Sequence, residues 1–457
     1  MVLFTGEEVL CLSVQQNILG TMPVNRLVFH MSWPIMLSML TQAIYNLVDS
    51  IYVAQLSDAA FLALSYAFPV QSLLTAFCVG IGVGFSALLG KRLGEKNMEG
   101  ANQVILHGFV LYLLCWMMFL LFGLLACNFY LQTCTQTEQV IRLGKEYLQI
   151  ISIFSIGVCI QFPCERILQS AGHPAGFMIV QGSGALINLI LDPILIFVFD
   201  LGITGAAIAT VIGQIAGGLI GFFLLLRIRR ELPISLSRFC FSLPLMEEMS
   251  CIAAPAVLMQ SLSSFMSFGF NAILNLWCET AVWALGVYFK LQTFVFMPIF
   301  SISNGLISII SFNYGAKAKN RISESVLFGL KTAVITALLG AFLLWCCAAP
   351  LLTYCFQAGA LALELGTPAL RMAALSFPVA AVSLVLSSAF QALGRSIYSL
   401  YISLLRQIIL LLPAAFLLVQ HLPQWTFMSF FAAELFSCAA AIILYRKLHR
   451  DCIQSIE

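Results

Sequence analysis

The sequence predicts an all-α integral membrane protein with twelve spanning helices in two six-helix parallel repeats. Three observations carry that expectation. Of 457 residues, 61% are hydrophobic and 9% charged, against roughly 25% charged in an average soluble domain. Apolar runs of about 20 residues, the length that crosses a bilayer as a helix, recur along the whole chain. The second half also repeats the first at a nearly constant offset. Within lipid each segment must satisfy its own backbone polar groups, so such runs read as helices.

Breaks at polar, glycine and proline residues place the helices at 28–55, 59–89, 104–131, 138–168, 175–199, 203–227, 249–277, 281–312, 325–351, 364–393, 397–420 and 425–446. Residues 1–24 contain Glu7 and Glu8 without a basic stretch, so they read as a cytoplasmic segment rather than a cleaved signal. Residues 25–230 then form an N-lobe of six helices, 231–248 a cytoplasmic linker, 249–447 a C-lobe and 448–457 a cytoplasmic tail. With the N-terminus inside, Arg26, Lys91, Arg92, Lys96, Arg166, Arg227, Arg229, Arg230, Arg238, Lys317, Lys319, Arg321, Arg395, Arg446, Lys447 and Arg450 lie at or near the cytoplasmic face. That is 16 of the 22 Lys and Arg residues, the asymmetry that fixes orientation in a membrane.

The net charge of +2 is small, and no basic run interleaves with aromatics, which excludes a nucleic-acid partner. The 15 cysteines show no C-x-x-C spacing and many, such as Cys115, Cys346 and Cys347, sit inside apolar runs. They read as small buried hydrophobes rather than as metal ligands or disulfides.

An offset of 221 aligns Pro34–Lys96 with Pro255–Lys317 without a gap, pairing among others Phe68 with Phe289, Gln71 with Gln292, Gly94 with Gly315 and Lys96 with Lys317. An offset of 222 pairs "ILQSAG" (Ile167 to Gly172) with "AFQALG" (Ala389 to Gly394). Two halves with an even number of helices run in the same direction, so their axis lies along the membrane normal. Parallel repeats around a cleft suggest alternating access.

Against this background Asp49 is conspicuous inside "MLTQAIYNLVDSIYVAQL". A charge at bilayer depth costs roughly 2.5–3.5 kcal/mol on insertion scales, so an intramembrane acid is a functional candidate. "INLILDPI" sets Asn188 and Asp192 four residues apart on one helical face, and "GAAIAT" supplies Thr210. Asp49 is nine residues from Asp58, Asp192 eight from Asp200 and Thr210 eight from Gly202, which at about 1.5 Å per residue puts all three roughly 12–14 Å deep. Tyr147 reaches the same level, and Tyr45 stands one turn from Asp49 on the same face. The repeat acts as an internal control, because the equivalents of Asp49, Asn188, Asp192 and Thr210 are Phe270, Leu410, Ala414 and Ala432. Pro193 has no N–H to offer the Leu189 carbonyl, which is thereby freed at the site, and Pro34 interrupts the first helix; both are candidate bends. In the second half Lys290, Arg406 and Glu434 also fall at membrane depth. Lys290 matches the depth of Glu434 better than Arg406 does, and a structural salt bridge is expected before a gating role.

The stretches "WPIMLSMLTQAIYNLVDSIYVAQL", "GKRLGEKN", "INLILDP" and "GITGAAIAT" together resemble the multidrug and toxic compound extrusion (MATE) transporters, most closely the bacterial branch that includes the DNA-damage-inducible exporters. The resemblance spans nearly the whole chain. It implies a two-lobe antiporter in the bacterial inner membrane that exports cationic or amphipathic drugs or metabolites against inward sodium or proton flow, acts as a monomer and needs no cofactor. The family's N-lobe cation site carries over onto Asp49, Asn188, Asp192 and Thr210, which would hold Na+, and its bending proline onto Pro34. Some branches have an essential acid in the seventh helix, and Ser250 to Cys278 has none.

Three rivals are weaker. An intramembrane aspartyl protease carries G-x-G-D, but the aspartates here stand in "LILDP" and "YNLVD". A flippase for lipid-linked saccharides, found among related folds, lines its cavity with cations that this first half hardly buries. A passive channel is opposed by the repeats and by the absence of an evident filter.

Overall fold

The computed structural model describes residues 18–228, 232 and 234–455, with the side chains of Leu47, Ala54 and Asp58 excepted. Glu7, Glu8, Cys11, Arg229 and Arg230, all used in reading the sequence, lie outside the described residues. Twelve spans follow the predicted order. They are α1 (Val24–Leu56), α2 (Asp58–Gly94), α3 (Met98–Cys134), α4 (Glu138–Ile153 and Ile156–Ser170, bent by 44°), α5 (Pro174–Val198) and α6 (Gly202–Arg227). The second lobe holds α7 (Leu243–Asn275), α8 (Glu279–Gly315), α9 (Lys319–Cys355), α10 (Ala360–Ala374 and Phe377–Ala392, bent by 43°), α11 (Ser396–His421) and α12 (Met428–Ile453). The fourth span of each lobe breaks at the same place, beside Ser155 in one and Ser376 in the other.

The repeat is also visible in the backbone. Lys96 and Lys317 both adopt φ 57°, and Gly172 and Gly394 adopt φ 88° and 75°. Each pair ends a span and turns the chain into the next. Side chains rarely adopt this left-handed region, so its recurrence at both lysines marks a turn geometry common to the two lobes.

The helices extend a few residues past the sequence-predicted ends, chiefly at the basic end of the molecule. There α2 runs on to Gly94, α8 to Gly315, and α7 begins at Leu243. Helices α2 and α8 are the central pair: 78% and 61% of their apolar windows are buried, against 17–39% for the other spans that pass as single helices. They cross with backbones in contact. A Cβ on Gly94 would strike the Phe312 carbonyl and one on Gly315 the Lys91 carbonyl. Further along, Gly80 abuts the Val257 backbone and Gly84 the Met249 carbonyl of α7. Hydrogen bonds reinforce the seam, from Gln169 Nε2 to the Asn304 carbonyl at 2.8 Å and from Ser311 Oγ to the Ser86 carbonyl at 3.5 Å.

All these contacts lie in the half of the molecule that carries Lys91, Arg92 and Lys317. Toward the other end α2 and the lobe-facing helices expose Phe61, Phe68, Leu73, Phe265, Phe268 and Phe294. The lobes are thus sealed at the basic end and parted at the opposite one.

Two leading segments cross between the lobes. The linker before α7 is strapped to α3 of the first lobe: Asn102 and the Ser235 backbone exchange two bonds of 3.1 and 2.9 Å, Gln103 Nε2 donates to the Arg238 carbonyl, and the Ser242 N–H donates to His107 Nε2 at 2.8 Å. Before α1, the short helix Ile18–Thr21 is held by the second lobe. Arg321 donates to the Leu19 and Met22 carbonyls at 3.0 and 2.8 Å, and Asn313 donates to Leu19 at 3.1 Å.

Filling the crossing is expected to break it. Gly94→Leu should destabilise the protein by about 1–3 kcal/mol, the cost of overpacking, whereas Gly286→Leu on the same central pair meets nothing within 4 Å and should stay within about 0.5 kcal/mol of the parent. Thermal unfolding in detergent compares them; equal melting would deny the crossing its role.

Candidate cation site and N-lobe cleft

Four of the predicted residues converge. Asn188 and Asp192 fall on one face of α5, and Asn188 Nδ2 donates both to Asp192 Oδ1 at 3.2 Å and to Thr210 Oγ1 of α6 at 3.3 Å. Close packing of α5 on α6 makes this possible: Gly184 and Gly213 lie against each other's carbonyls, and any larger residue would separate the helices. Asp49 approaches from α1, which packs along α5. Asp192 is fully buried and Asp49 only 9% exposed.

The hydrogen-bond census of this cluster does not close. Asp49 Oδ1, Asp192 Oδ2 and Asn188 Oδ1 are buried oxygens without a hydrogen-bond partner. Buried polar atoms are nearly always paired, and two carboxylates in a low dielectric require a cation or a proton. The free donors are all oxygens, which suit a hard cation such as sodium better than a soft one.

The helix geometry follows the prolines unequally. Directly after Pro193 the ladder widens into a π turn, Ile194–Val198, and Pro350 is followed by the same feature at Leu351–Cys355. A missing N–H leaves room for the register to slip by one residue. Pro34, by contrast, stands inside α1 with helical assignment unbroken from Val24 to Leu56, and Ser38 Oγ donates to its carbonyl at 2.9 Å.

Beside the cluster opens a cleft lined by Gln42, Tyr45, Gln161, Phe162, Gln181 and Gln214 among others, with Asn188 and Thr210 in its wall. Tyr45 therefore takes the cavity position expected of it. Tyr147 does not: it is 1% exposed and accepts a hydrogen bond from Gln71 Nε2 at 2.9 Å, so α2 holds it in the core. The amides of the cleft were missed in the sequence. Gln181 donates to Gln42 at 2.8 Å, and Gln161 donates to Glu165, a second buried acid, at 2.8 Å. The same search for polar residues in apolar runs, applied to "VCIQFPCERILQS", would have found Gln161 and Glu165. Arg166, counted with the cytoplasmic face, is buried one turn from the end of α4 and bonds Gln169 at 3.2 Å.

In the second lobe, the counterpart of Asp49 is filled by rings. Phe270 packs at 4.9 Å on Phe430, which packs at 4.9 Å on Tyr288. The charges nearby correct one expectation. Glu434 pairs with Arg406 at 3.2 Å, not with Lys290, which is exposed. Counting residues from the helix ends assumed a regular α-helix, but Arg406 lies in a π turn, Leu405–Ile409, packed against α12.

The MatE family model matches residues 34–194 and 255–417, one copy in each lobe. The FAD transporter of Shewanella oneidensis is 27% identical over 86% of this chain and 88% of its own. Multidrug export protein MepA of Staphylococcus aureus is 26% identical over 66% of this chain and 67% of its own. A crystal structure of a MATE protein in complex with MaL6 superposes with a TM-score of 0.90 at 21% identity, covering 97% of this chain and 100% of that one.

The Arg406–Glu434 pair is 14% and 10% exposed. Glu434→Leu alone, which strands the guanidinium, should cost about 3–5 kcal/mol, and Arg406→Met with Glu434→Leu should recover most of it. Thermal melts measure the cost and its recovery, and a transport assay distinguishes a structural pair from a gating one: a structural pair leaves transport intact in the double variant.

Proposed function

Since the chain belongs to the MatE family, we propose that it is a secondary active antiporter exporting amphipathic organic solutes, drugs or metabolites, in exchange for sodium ions or protons moving inward. It is a multi-pass membrane transporter and not an enzyme. In this reading the basic end faces the cytoplasm of a bacterial inner membrane, both termini are cytoplasmic, and the chain works as a monomer. The sealed basic end and the parted opposite end then correspond to an outward-open state.

The observation that carries the coupling role is the set of three unpartnered buried oxygens on Asp49, Asp192 and Asn188. A cation bridging them offsets the repulsion of two carboxylates and draws α1 toward α5. A bend at Pro34 would let the basic half of α1 stay docked on the second lobe while its outer half moves. Narrowing the cleft beside Tyr45 and Gln181 displaces an occupant, and linkage requires that the occupant weaken cation binding by the same factor. The cleft wall presents amides, a phenol and an aromatic ring with no formal charge. Such a wall accommodates flat amphipathic solutes, and the absence of lysine or arginine from it argues against a lipid-linked saccharide.

Liposomes carrying separately imposed sodium and proton gradients, with cationic dyes and flavins as cargo, test the coupling. Cargo should accumulate only while one of the two gradients lasts, and accumulation after both are dissipated would refute antiport. Asp192→Asn and Asp49→Asn should each lower coupled transport at least tenfold while inserting normally, since each removes a charge from lipid depth. Full transport by Asp192→Asn would remove that residue from the mechanism, and full transport by Pro34→Ala would do the same for the bend.

A further inference from the structure

Three thiols with no part in the coupling reading meet inside the first lobe. Cys78 of α2, Cys115 of α3 and Cys159 of α4 place their sulfurs within 4.8 Å of one another, and all three residues are buried. They come from three separate spans. At the repeat offsets the second lobe has Ile299, Thr336 and Ala381, so the architecture does not call for sulfur there. Tyr112, one turn before Cys115, donates to the Cys78 carbonyl at 2.9 Å and fixes α3 against α2 at this level. Arg166 supplies a cation beside it. Its buried Nε has no hydrogen-bond partner and lies with the Tyr112 hydroxyl around the space at Gly82.

We propose that Cys78, Cys115 and Cys159 form a three-sulfur site for a soft monovalent cation of the Cu(I) class. A metal at about 2.3 Å from each of three sulfurs sets them about 4 Å apart, a spacing the three side chains reach by sub-ångström adjustment. Among the described residues, no histidine or carboxylate joins the group. Zinc favours a fourth ligand and a tetrahedron, whereas thiolate-only coordination selects Cu(I), and sodium prefers oxygen. The site therefore does not compete with Asp49 and Asp192. Binding releases thiol protons: the three thiols give up three protons to water, and Cu(I) held by three thiolates leaves the site with a charge of −2, which Arg166, beside Tyr112, partly offsets. The cleft lies close by, since Thr75, Val158 and Phe162, each within three residues of Cys78 or Cys159, line it. Occupancy would pin α2, α3 and α4 together.

The test uses the full chain in nanodiscs, loaded anaerobically with Cu(I) as its acetonitrile complex and washed with a Cu(I)-selective chelator. One copper per chain should remain, retention should fall at least tenfold in each of Cys78→Ala, Cys115→Ala and Cys159→Ala, and it should persist in Cys346→Ala/Cys347→Ala. X-ray absorption on the parent, which does not depend on how a variant folds, should give a shell of three sulfurs. A folded parent that keeps no copper, parent-level retention in any of the three single variants, or a nitrogen or oxygen shell would each overturn the site. None of these readouts involves transport, so the outcome is independent of the coupling assignment.

Discussion

Everything in this molecule hangs on two backbones that touch. Where α2 and α8 cross at Gly94 and Gly315, neither helix can carry a side chain, and the first atoms to meet are carbonyls and amides. Hydrophobic association gives little net drive between helices in lipid, so close van der Waals approach through small residues takes its place. Because the crossing sits at the basic end, it acts as the closed corner of a wedge. The unequal burial of the spans, greatest for α2 and α8, reflects that crossing.

The two lobes share a scaffold and spend their interiors differently. At equivalent positions one holds Asp49, Asn188, Asp192 and Thr210, and the other Phe270, Leu410, Ala414 and Ala432, with Phe270 stacked on Phe430 and Phe430 on Tyr288. The aromatic interior fixes its lobe by packing alone. The polar interior leaves oxygen atoms without partners, and so has a configuration whose energy depends on whether a cation or proton is present. In the antiport reading proposed above, one lobe responds to ions and the other serves as the reference against which it moves.

The fold was legible in the sequence because lipid leaves few alternatives: each apolar run had to be a helix, and the repeat fixed how the halves relate. The cluster of Asn188, Asp192 and Thr210 was legible for a similar reason, since polar residues in such runs stand out and α-helical spacing brings them to one level. Where spacing departs from 1.5 Å per residue the reading failed, as at Arg406, whose π turn redirects it to Glu434. Tyr147 shows a second limit. Its depth was right, but only the packed structure reveals that Gln71 draws it into the core. The cysteines show a third: each is unremarkable in its own helix, and their meeting depends on the rotation of three helices about their axes, which composition does not encode.

The crossed leading segments have a mechanical consequence. The stretch before α7 belongs physically to the first lobe, through Asn102, Gln103 and His107, and the turn before α1 belongs to the second, through Asn313 and Arg321. Each lobe therefore holds the other's first helix by its foot. A rocking of the lobes would lever the feet of α1 and α7 in opposite senses, so that a rigid-body rotation arrives at Asp49 as torque on the very helix that carries it.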